Sequence, residues 1–84
     1  MSTREIQQFI HQSGQFIFAD GRQKMGMIVA RYNIKEAKVE YYFIPAENEV
    51  AYRTAQAHHQ LDAHRQLGNQ VDVNGVLSAT MLAA

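Results

Sequence analysis

Cysteine is absent from the 84 residues, and with it go a disulfide framework, a thiol nucleophile and a thiolate zinc site. No run of about 18 consecutive apolar residues occurs, which excludes a membrane-spanning helix. The opening Ser2, Thr3, Arg4, Glu5, Ile6, Gln7, Gln8 lacks the basic-then-apolar order of a leader, so a cytoplasmic protein without a membrane partner is expected. Neither sign of charge prevails: eight Lys and Arg stand against eight Asp and Glu, leaving no global field to gather nucleic acid. Catalytic patterns are missing as well. There is no Gly-x-Ser-x-Gly elbow and no phosphate-binding glycine loop, the acids are scattered, and Ser78 and Thr80 have no local base. A noncatalytic protein without a cofactor is the expectation.

What is present is a chain 46% apolar and long enough for a single domain spanning residues 1–84. A domain of this size has a thin core, and self-association is a ready way to hide further apolar surface. Ser2, with Glu5 three residues on and Ile6, Phe9 and Ile10 at helical spacing, predicts a helix from about Thr3 to Ser13, with Gly14 as its cap. From Gln15 the period changes to two as far as Asp20-Gly21, a hairpin turn. The return strand starts near Arg22. It sets Met25, Met27 and Val29 on one face against Lys24, Gly26, Ile28, Ala30 and Tyr32, and Gly26 suggests a bulge or sharp bend. A third strand alternates Ala37, Val39, Tyr41 and Phe43 with Lys38, Glu40, Tyr42 and Ile44, one face core and the other half wet, until Pro45 ends the ladder.

A helix from about Glu47 to Leu67 is expected next, ended by Gly68-Asn69. Its apolar stripe reads Val50, Thr54, Ala57, Leu61 and His64, with Ala51, Ala55, His58 and Leu67 beside it. Residues Gln70 to Val73, a turn at Asn74-Gly75 and Val76 to Leu82 form a short strand and a closing strand.

Asp20-Gly21-Arg22 followed by Gly26, and Val71 to Gly75 before Val76 to Leu82, resemble the second-strand opening and the closing strands of Sm-like and other SH3-like small barrels. The resemblance implies an α+β, mainly β fold: a small, partly open barrel with an N-terminal helix. The long helix would then be an insertion before the last two strands. Sm proteins contact RNA through an Asp-x-x-Met-Asn type loop and an Arg-Gly loop. Neither Tyr32-Asn33-Ile34-Lys35-Glu36 nor Leu67-Gly68-Asn69 supplies these, so no RNA-binding residue carries over.

Three sets of residues are candidates for function. His58, His59, Asp62 and His64 are the one cluster of metal-capable side chains, but on a continuous helix the three histidines diverge, and no metal site is expected. Val50, Thr54, Ala57, Leu61 and His64 form an interaction face for a protein partner or a second copy. Arg22, Lys24, Lys35 and Lys38, with Tyr32 and Tyr42, form a basic face that could bind RNA or single-stranded DNA weakly. Of these, a noncatalytic interaction or self-assembly module is the leading expectation. A dimer or larger ring should follow, because the meander is apolar on both faces.

Overall fold

In the computed structural model, which describes residues 1–82, the chain is α+β and mostly β. Ser2 and Glu5 form a reciprocal cap, the Ser2 hydroxyl accepting from the Glu5 amide at 3.1 Å and the Glu5 carboxylate accepting from the Ser2 amide at 3.2 Å. The helix they start is short. α1 is Thr3–Ile6, followed by a 3-10 turn over Gln7–Phe9, rather than a helix reaching Ser13. Tertiary pairing ends it: Ile10 bridges Ile28, the His11 amide donates to the Ile28 carbonyl at 2.9 Å, and His11 turns to φ 63°. Gly14 is therefore a strand residue and not a helix cap.

Strands β1 (Gly14–Phe18), β2 (Gln23–Asn33), β3 (Lys38–Pro45), β4 (Asn69–Val71) and β5 (Val76–Met81) make one antiparallel sheet in the order β4-β3-β2-β1-β5. The sheet is not closed, because β4 and β5 lie at its two edges. Gly21 turns the β1–β2 hairpin at φ 88°, which a Cβ disfavours, and Asp20 accepts the Arg22 amide at 3.0 Å. No bulge forms at Gly26; pairing with β3 continues unbroken from Gly26↔Pro45 to Asn33↔Lys38. The register shifts instead in β1, between Ile17 and Phe18 opposite β5. Gly26 serves a close approach of β2 to β3.

Both faces of the meander are core. Ile28, Tyr41 and Phe43 pack on one side with Ile6, Phe16, Val73 and Val76. Met27, Val29, Tyr42 and Ile44 pack on the other with Tyr52, Ala55 and Ala63. The face of β3 expected to be half wet is thus dry at Tyr42 and Ile44, because helical chain covers it. Of the residues offered from sequence as the reason for a second subunit, Met27, Ile28, Val29, Tyr41, Tyr42 and Phe43 are covered within one chain, and Met25 stays 49% exposed.

The single helix from Glu47 to Leu67 is replaced by a 3-10 turn at Ala46–Asn48, α2 (Glu49–Ala57) and α3 (Ala63–Leu67). His59, at φ 58°, marks the break, and Gly68 is extended rather than a left-handed cap. A continuous helix of that length would extend about 30 Å, nearly the longest dimension of the molecule at 32 Å. Folding back lets Tyr52, Ala55 and Ala63 all reach the same face of β2 and β3. Rotation about α2 differs too. Tyr52 and Ala55 are buried, whereas Val50, Thr54 and Ala57 face outward and Leu61 lies exposed in the turn.

Candidate functional site

The break between α2 and α3 brings Leu61 beside the end of the β2–β3 hairpin. A groove of about 410 Å³ lies between them, lined by Tyr32, Ile34 and Leu61 and by Arg31, Lys35 and Arg65. Tyr32, Ile34 and Leu61 are 62%, 84% and 74% exposed, so this groove gathers three of the large apolar side chains that packing leaves uncovered. Ile34 sits at the hairpin tip, where Asn33 accepts the Glu36 amide at 3.1 Å and Ala37 adopts φ 52°. An ion pair of Lys38 with Glu36, at 2.9 Å, braces the same turn.

Glu40 and His64 complete the groove. Glu40 accepts from the Tyr42 hydroxyl at 3.1 Å and from the side-chain amides of Asn33 and Gln70, each at 3.4 Å. Burial alone would raise its carboxyl; the bonds from Asn33 and Tyr42, with the charges of Lys38 and Arg65, outweigh this and hold it below the usual range. His64 is only 7% exposed and packs edge-on against Tyr42, ring centroids 4.6 Å apart. Its burial, then Arg31 and Arg65, push its pKa down, against a weaker pull from Asp62 and Glu40. Near neutral pH the groove therefore presents three cations, with its one carboxylate already held by neighbouring donors.

The interaction face read from sequence divides. Leu61 and His64 reach the groove, while Val50, Thr54 and Ala57 belong to the outer side of α2. The basic face divides as well. Arg22 and Lys24 lie at one end of β2, Tyr32 and Lys35 lie at the other, and Lys38 opens β3 beside the second group. Tyr42, at 4% exposure, has no free ring face for stacking. Among the described residues no three His, Asp or Glu side chains converge in a way that could hold a metal ion. His58 caps α2, Asp62 precedes α3, and the intervening turn, rather than helical divergence, separates them.

Sequence reasoning missed Arg31, Ile34 and Arg65. No periodicity marks them, since the hairpin tip and the helix break meet only in three dimensions; the apolar Ile34 inside an otherwise polar turn was the available signal. No family model, curated protein or solved structure matches the chain.

Proposed function

We propose that the protein is a noncatalytic interaction domain whose groove between the β2–β3 tip and the α2–α3 turn receives an acidic protein segment carrying apolar side chains. The observation that supports this is the gathering of Tyr32, Ile34 and Leu61, all exposed, with Arg31, Lys35 and Arg65 in one groove. Leaving large apolar side chains in water wastes their burial energy, and interface centres favour aromatic and Arg side chains within such patches. Charge then selects among partners. A basic groove on a chain of zero formal charge disfavours a basic segment and steers an acidic one.

For the scaffold we propose an Sm-like or SH3-like small barrel, left open. Support comes from the strand order β4-β3-β2-β1-β5 and from the 3-10 turn Val73–Gly75 that leads into β5. Self-association is proposed through the same apolar side chains, Tyr32, Ile34 and Leu61, which a second copy would cover.

Fluorescence anisotropy tests the reading, using labelled peptides that alternate Glu with Leu or Phe, their Lys counterparts, and a single-stranded oligonucleotide. Saturable binding of the Glu peptides alone is expected, lost in Ile34→Asp and Leu61→Asp variants that melt like the parent. Binding of the oligonucleotide alone, falling steeply with salt, would replace this reading with the nucleic-acid one. Sedimentation equilibrium of the parent and of Ile34→Asp reads self-association: a mass above 9.6 kDa that falls in the variant supports it, and a monomer in both removes it.

A further inference from the structure

We propose that a second cavity, between the β1–β2 hairpin and β4, binds a small aromatic carboxylate. The cavity is about 180 Å³, with Phe18, Phe43 and Val71 as its apolar lining. The two phenylalanine rings stand 5.5 Å apart at 88°, so they form two walls of a corner. A third ring seated there gains offset or edge-on contact with both, at the spacing aromatic pairs favour.

The polar side of the cavity has one free charge. Arg22 is taken by Asp20, its Nε 3.1 Å from the Asp20 carboxylate. Lys24 makes no ion pair among the described residues; its Nζ lies 5.9 Å from the centre of the Phe18 ring and 6.0 Å from that of Phe43. A cation at this range over two rings gains a weak attraction, which a carboxylate carried by a bound ring would replace with a full ion pair. Asn69 also lines the site and has an amide able to donate to the second carboxylate oxygen.

Size and charge together set the ligand class. A cavity of about 150 Å³ lined by apolar side chains accommodates benzene, so this one has room for a ring and a carboxylate and little more. One unpaired monocation matches one carboxylate. A phosphate dianion would remain half compensated against an apolar wall.

Amide shifts in two-dimensional NMR, followed during titration of the full chain with phenylacetate, test the proposal. Saturable shifts at Lys24, Asn69 and Val71 are expected, with benzyl alcohol about tenfold weaker and Lys24→Gln reducing phenylacetate to that level. Lys24 is exposed, so this variant keeps the fold. Phenylacetate binding at least as well as Gly-Gly-Phe identifies a free acid; tighter binding of the peptide would overturn that in favour of a chain terminus. Equal affinity for acid and alcohol, or no effect of Lys24→Gln, overturns the ion pair, and absence of saturable shifts at these amides overturns the site.

Discussion

Gly26 of β2 lies backbone to backbone against Ile44 of β3: a Cβ at position 26 would collide with the Ile44 carbonyl oxygen and come within 2.8 Å of the Phe43 ring. The ladder on both sides of β2 passes through this residue, which pairs with Gly14 and with Pro45. Neither neighbour can yield without breaking strand pairing. Gly26→Ala should therefore cost more than about 2 kcal/mol, and Gly26→Val more again. Urea denaturation checks both, and a change within about 0.5 kcal/mol would show that β2 and β3 can separate at this point.

Gly21 is the contrasting case. Its φ of 88° disfavours a side chain, yet a Cβ there meets nothing within 4 Å. The cost of Gly21→Ala is then conformational alone, about 1 kcal/mol, and Gly21→Asn should recover part of it because Asn tolerates positive φ. Equal losses at positions 21 and 26 in the same denaturation series would contradict the distinction between backbone conformation and collision.

On α2 the two sides should respond oppositely. Tyr52 is buried against Met27, Val29 and Ile44, so Tyr52→Ala should remove about 3 kcal/mol or more. Val50, 77% exposed, should accept Asp within about 0.5 kcal/mol. Thermal melts of the two variants distinguish this orientation from the stripe that the spacing Val50, Thr54, Ala57, Leu61 implies.

Strand periodicity made the meander legible: Met27 and Val29 do separate from Ile28 and Ala30 onto opposite faces. Asp20-Gly21 turns where its chemistry requires, and Pro45 ends β3. Helix lengths were not legible, because local spacing contains no term for what the chain folds back upon. Ile10 leaves its helix to pair with Ile28, and the segment after Ala57 turns so that Ala63 and His64 reach the sheet. The groove was half legible. Leu61, His64, Tyr32 and Lys35 were each singled out, but assigned to two separate faces, since their meeting depends on the break that the helical pattern concealed.

His64 ties stability to pH. Buried beside the Tyr42 ring, it faces Arg31 from β2, Arg65 from α3, Glu40 from β3 and Asp62 before α3, and burial with the two arginines lowers its pKa from the usual 6.5. His11 is lowered in the same direction by burial, Arg53 and Arg31. The unfolded chain therefore takes up protons at a pH where these two folded histidines remain neutral. Their contribution to stability is complete above about 6.5, declines as the pH falls below it, and is fully lost once the folded histidines protonate in turn. Glu40, also lowered, adds a further loss only when the pH falls below its ordinary 4.5. Denaturant midpoints should thus decrease from pH 7 toward pH 5, and His64→Phe, which keeps an aromatic ring beside Tyr42, should flatten the decrease. His11→Gln, at an exposed position where solvent screens the two arginines, should flatten it less. NMR titration of the histidine ring protons reads the cause directly: a His64 midpoint at or above 6.5 would contradict the burial that the structure gives it.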